Sequence, residues 1–128
     1  KGATTIWEHW DGIMEDGGFW SADMNSFNHY AYGSVADWIY EEAAGIRPLE
    51  PGFARVQVAP KPDRRLGWLE ASIETRIGVV RCRWEYRDGG VRYEIETEMP
   101  VIVVIDGTER SMPAGNYIFW GSEKEKNR

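Results

Sequence analysis

The chain has 128 residues, with 15 Lys+Arg against 21 Asp+Glu and a formal net charge of -6. That balance disfavours a general phosphate-backbone binder, which needs a basic footprint. A content of 42% hydrophobic and 13% aromatic residues excludes a disordered chain, and the longest apolar run, Val101-Ile-Val-Val-Ile105, is far short of the ~20 residues that span a bilayer. Neither nucleic acid nor membrane is an expected partner.

The lone Cys82 cannot form an internal disulfide, and one Cys with two His cannot build a structural zinc site. Asp11 to Asp16 does not match a calcium-loop spacing. No metal or cofactor is indicated. The start, Lys1-Gly-Ala-Thr-Thr, carries no signal peptide and reads like the middle of a longer protein, so the compartment stays open between cytoplasmic and secreted.

Charge divides the chain. Residues 1–45 hold eight acids and one base, whereas the remainder holds thirteen acids and fourteen bases. Four of the seven tryptophans, Trp7, Trp10, Trp20 and Trp38, also lie in the first part. Two segments with different physical roles are expected. Trp10 to Phe27 is glycine-rich and aperiodic and reads as a long loop. From Asn28 to Ala44, apolar residues at Tyr30, Val35, Trp38, Ile39 and Ala43 follow the helical period. Ser26 or Asn28 is positioned to cap that helix, Gly45 to end it, and Pro48 and Pro51 forbid its continuation. Gly33 within it suggests close packing against a neighbour. The helix cannot bury its aromatic face alone, which implies that covering structure lies upstream.

The rest reads as strands: Phe53–Ala59, Leu69–Thr75, Val79–Arg87, Val91–Glu98, Val101–Ile105 and Tyr117–Trp120, separated by Gly, Pro or Asp. A two-residue turn at Asp88-Gly89 pairs Arg87 with Gly90. This register sets Trp84 opposite Tyr93, Tyr86 opposite Val91 and Cys82 opposite Ile95 on one face. Glu85 then faces Arg92, Arg83 faces Glu94 and Arg81 faces Glu96 on the other. A one-residue slip would destroy both patterns. Cys82 is accordingly a small core hydrophobe. The fold class is mainly β: an antiparallel sandwich or jelly roll preceded by a loop and one helix. Residues 46–121 form the sandwich, and residues 122–128 a polar, frayed tail.

Two stretches concentrate chemistry: Thr4-Thr-Ile-Trp-Glu-His-Trp-Asp-Gly12 and Met24-Asn-Ser-Phe-Asn-His-Tyr-Ala-Tyr-Gly-Ser34. Carboxylates, amides and imidazoles read sugar hydroxyls, and indoles lie against apolar C–H faces. A carboxylate between indoles is also a candidate for desolvation. The composition alone leaves a sugar site and plain core packing both open.

These two runs resemble the last part of the catalytic domain of bacterial α-L-rhamnosidases, glycoside hydrolase family 78. Pro51-Gly-Phe53, Leu69-Glu-Ala-Ser to Thr75 and Ala114-Gly-Asn-Tyr-Ile-Phe119 resemble that family's C-terminal β-sandwich, so the similarity spans nearly the whole chain. The resemblance implies that residues 1–45 are the end of an (α/α)6 barrel and that Glu8 is the general base of an inverting hydrolysis of terminal α-L-rhamnosyl units. His29 would bind a sugar hydroxyl, and Trp7 and Trp10 would shape the pocket wall. His9 departs from the pattern, standing where Arg is more frequent. No residue here matches the family's general acid, so the chain by itself is expected to be inactive. Its implied partners are a rhamnose-containing glycoside and the rest of the parent barrel. Exposed apolar surface on residues 1–45 further suggests self-association of the isolated chain.

Two other readings compete: a carbohydrate-binding module holding sugar on Trp68 or Trp120, and a structural sandwich that braces the barrel. For the sandwich alone the strand pattern favours bracing, because it assigns the aromatics to the core and leaves no cluster of outward-facing rings.

Overall fold

The computed structural model describes residues 2–122, which divide into two compact units between Asp37 and Trp38. The first unit is mostly irregular. Its loop closes through an isolated bridge between Ile13 and Phe19 and opens into helix α1, Tyr30–Trp38. The carbonyl of His29 accepts from the N–H groups of Tyr32 and Gly33, so His29 occupies the helix entry. Ser26 does not cap it; its hydroxyl pairs with the His29 ring instead. Gly33 makes no tight contact, its nearest neighbour being Ile6 Cδ1 at 4.0 Å from where a Cβ would sit. No residue of α1 is buried.

The expected single helix to Ala44 is corrected. α1 ends at Trp38, and Ile39–Ala43 winds as a π turn closed by the Ala44 N–H on the Ile39 carbonyl. Gly45 stops the winding with φ of +72°, as glycine allows. A side chain there would collide with the Ala59 backbone at about 2.1 Å.

Among the described residues eight strands follow: β1 Ile46–Pro48, β2 Val56–Val58, β3 Trp68–Thr75, β4 Gly78–Arg87, β5 Gly90–Thr97, β6 Val101–Ile105, β7 Thr108–Met112 and β8 Gly115–Ser122. They form two four-stranded sheets, ordered β1-β2-β6-β7 and β3-β4-β5-β8. All neighbours are antiparallel except the parallel pair β2 and β6. The expected strand from Phe53 is shortened, because Pro51–Phe53 forms a 3-10 turn. β8 runs through Ser122, and the polar run from Glu123 to Arg128 lies outside the described residues.

The β4–β5 hairpin has the expected register throughout, from Arg87 opposite Gly90 to Arg81 opposite Glu96. Asp88 and Gly89 both have positive φ, 53° and 78°, which is the primed turn suited to strand twist. Asp106 and Gly107 repeat it at 51° and 79°. The inward residues close the core: Val80, Cys82 and Trp84 from β4, Val91, Tyr93 and Ile95 from β5, and Val101, Val103 and Ile105 from β6. The Trp84 indole N–H donates to the Ala43 carbonyl at 2.8 Å, which satisfies the one polar atom of a ring that is otherwise fully buried. Burial pushes the Cys82 thiol up to about 12, so it carries no thiolate near neutrality.

On the outward face the charges do not pair simply across strands. Arg81 meets Glu96 at 3.2 Å and Arg92 reaches Glu85 at 3.7 Å, as the register suggests. Arg83, however, turns from Glu94 to Glu85 at 3.0 Å and Glu70 at 3.5 Å, while Arg92 takes Glu94 at 2.5 Å. Long side chains reach diagonal neighbours as easily as direct ones. Trp68 and Trp120 also point outward, 60% and 57% exposed, which corrects the assignment of all sandwich aromatics to the core.

Candidate functional site

Two backbone hydrogen bonds assemble the candidate site. The Glu8 N–H donates to the Ser26 carbonyl at 2.9 Å, and the His29 N–H donates to the Ile6 carbonyl at 2.8 Å. The Thr5 hydroxyl adds a bond to the Phe27 carbonyl. The two motifs thus run alongside each other in opposite directions, although the sequence separates them by a long loop. Glu8 and His29 are each half-buried.

The supporting contacts explain why these segments hold their shape. Trp7 is buried and meets Phe27 edge-on, with centroids 5.0 Å apart at 78°. This T-shaped contact fixes the residue before Glu8 and the residue two before His29. His29 Nδ1 lies 3.1 Å from the Ser26 hydroxyl, which orients the ring and leaves Nε2 for another partner. Tyr32 lies against the same ring at 4.7 Å. Asn25 orders the loop, donating to the Ser21 carbonyl at 2.7 Å. Trp10, by contrast, is three-quarters exposed.

The two candidate indoles therefore part company: Trp7 turns inward and Trp10 turns to solvent. His9 stacks on Trp20, with centroids 4.6 Å apart at 31°. Neither this contact nor the Trp7–Phe27 pair was legible from spacing, since each joins residues about ten or twenty positions apart across an aperiodic loop. No group of three or more His, Cys, Asp or Glu among the described residues is arranged to hold a metal ion.

A cavity of about 400 Å³ lies elsewhere, within the sandwich unit, between Pro60, Pro62, Tyr86, Tyr93 and Asp106. Burial, with Asp106 nearby, pushes the Tyr93 hydroxyl above its usual range, so that phenol stays protonated. None of Glu8, His29, Trp7 and Trp10 lines this cavity.

Known proteins of similar sequence and fold identify the family. Residues 45–112 match the bacterial α-L-rhamnosidase C-terminal domain, and residues 1–43 match the bacterial α-L-rhamnosidase six-hairpin glycosidase domain. The chain belongs to the bacterial α-L-rhamnosidase family. An α-L-rhamnosidase of Streptomyces avermitilis is 48% identical over 90 residues, covering 70% of this chain and 9% of that protein. One from an Alteromonas species is 32% identical over 127 residues, covering 99% of this chain and 13% of its own length. The chain thus spans about a tenth of the rhamnosidases it matches.

Solved rhamnosidase structures agree. The Aspergillus terreus enzyme superposes over 93% of this chain with a TM-score of 0.69 at 30% identity, using 14% of its own length. The Streptomyces avermitilis enzyme, crystallised with L-rhamnose, superposes over 94% with a TM-score of 0.59 at 34% identity, using 13%. The two-sheet architecture is therefore a rhamnosidase C-terminal sandwich.

Proposed function

We propose that this chain is the C-terminal part of an inverting α-L-rhamnosidase, with residues 1–45 closing the catalytic α/α barrel and residues 46–121 forming the sandwich behind it. The observation that carries the reading is the half-buried Glu8, set in its Trp-Glu-His-Trp motif and tied by backbone bonds to the segment that leads into His29.

Glu8 acts as the general base. Its carboxylate accepts a proton from a water molecule as that water attacks the anomeric carbon from the face opposite the leaving group. A second, protonated carboxyl group ~6.5–9.5 Å away donates to the departing glycosidic oxygen, leaving room for the water between them. No residue of this chain matches the family's general acid, so residues 1–128 alone do not turn over. His29, held through Nδ1, presents Nε2 to a sugar hydroxyl. Trp10 offers an indole face to the sugar, and Trp7 shapes the wall from within. The rings exposed on this unit are covered by the rest of the parent barrel.

The test is Glu8→Gln in the full-length enzyme with an aryl α-L-rhamnoside. Turnover falls about 10²–10⁴-fold, the range for loss of a general base. Proton NMR of the first-formed product shows the β-anomer. Turnover near normal would displace Glu8 from the role, and an α-anomer would exclude inversion. In sedimentation, the isolated chain self-associates at high concentration; a clean monomer counts against its exposed rings needing cover.

A further inference from the structure

Strand register places four residues in one row across the outer face of the β3-β4-β5-β8 sheet. Trp68 lies opposite Glu85, Glu85 opposite Arg92, and Arg92 opposite Trp120. The row begins and ends in an indole that is more than half exposed. Between them the polar side chains are held tightly: Arg92 and Glu85 are only 18% and 23% exposed despite facing outward. The Arg83 guanidinium sits 5.6 Å from the Trp68 ring centroid, which steadies that ring and leaves its other face to solvent.

We infer that this face binds a neutral, soluble oligosaccharide of about three or more sugar units. One unit stacks on Trp68, another on Trp120, and the units between them hydrogen-bond to Glu85 and Arg92. Three inter-strand steps set the indoles about 14 Å apart, too far for a single sugar ring to touch both. Sheet twist rotates them by about 60–75° relative to each other, which suits a twisted chain and excludes a flat crystalline surface.

The charge pattern selects the ligand class. The two upper rows carry Glu70, Glu85 and Glu94 against Arg83 and Arg92, which gives a face close to neutral and no attraction for a polyanion. Those charges are already paired with one another. A protein partner would have to desolvate the whole network at considerable cost. A sugar replaces water at those groups with its own hydroxyls, so they stay hydrogen-bonded while the indoles gain apolar contact.

Calorimetric titration of the 128-residue chain with rhamnotriose, cellotriose, xylotriose and maltotriose tests this. At least one trisaccharide binds saturably, and its monosaccharide binds at least about tenfold more weakly. Trp68→Ala and Trp120→Ala each weaken the trisaccharide about tenfold, and the double substitution abolishes binding. Ile77→Ser, at the far end of the same sheet, leaves it unchanged. Both indoles are exposed, so an unchanged thermal midpoint accompanies each loss. Binding by none of the four trisaccharides overturns the inference, as does binding that survives the double substitution. No turnover is measured, so the outcome is independent of the role given to Glu8.

Discussion

The first unit holds three tryptophans and buries only Trp7, whereas Trp84 in the sandwich is fully enclosed and even its N–H is satisfied. Trp84 belongs to a core cluster with aliphatic residues from both sheets, while Trp10, Phe19, Trp20 and Met24 are all exposed. The contrast follows from geometry. Two sheets can face each other and close a core from within one short sequence. One loop and one helix supply no second layer of their own, and most of their rings stay exposed. The sandwich closes its own core, and the first unit encloses little beyond Trp7.

Substitutions sharpen that contrast, from large effects to small. Trp84→Ala removes the largest fully buried side chain and takes from the Ala43 carbonyl the shorter of its two hydrogen bonds, leaving that from the Lys61 N–H; chemical denaturation shows a loss of about 3–5 kcal/mol. Gly45→Ala drives a methyl group into the Ala59 backbone and costs about 3 kcal/mol by the same measurement. Trp10→Ala changes global stability by less than about 0.5 kcal/mol, as for other exposed sites. A loss near that of Trp84→Ala would erase the distinction between the units.

Two chemical probes read the sandwich more finely. Cys82 stays unreactive to an aromatic disulfide reagent in native protein and reacts fully in denaturant, because its thiol is buried and its ionisation suppressed. Glu85 titrates below the usual carboxylate range, first through its hydrogen bond from Arg83. A depressed native value means its contribution is complete above the unfolded-state value and fades as pH falls through the folded one. Glu85→Gln therefore lowers stability slightly across the neutral region, flattens the fall on the acid limb, and meets the unsubstituted profile below the folded value.

How much was legible differs by element. The β4–β5 hairpin could be read residue by residue because two demands coincide: alternating apolar residues select a face, and Asp88-Gly89 selects the turn. β7 follows the same turn signal at Asp106-Gly107, but Thr108–Met112 is polar along most of its length and shows no apolar alternation. As an edge strand of its sheet it needs no apolar alternation. β1 escaped for a related reason, being three residues long and ending in proline at the opposite edge.

The order of residues alone determined the inward set of the central strands, the place where winding stops at Gly45 and the pair of motifs that mark the family, because periodicity, turn chemistry and an embedded acid are all local properties. Only the tertiary structure decided that Trp7 turns in while Trp10 turns out, that Arg83 prefers Glu85 to Glu94, and that Trp68 and Trp120 end one row of a sheet. Those outcomes depend on which distant residues arrive next to each side chain, and contacts across an irregular loop or between non-sequential strands leave no period to read.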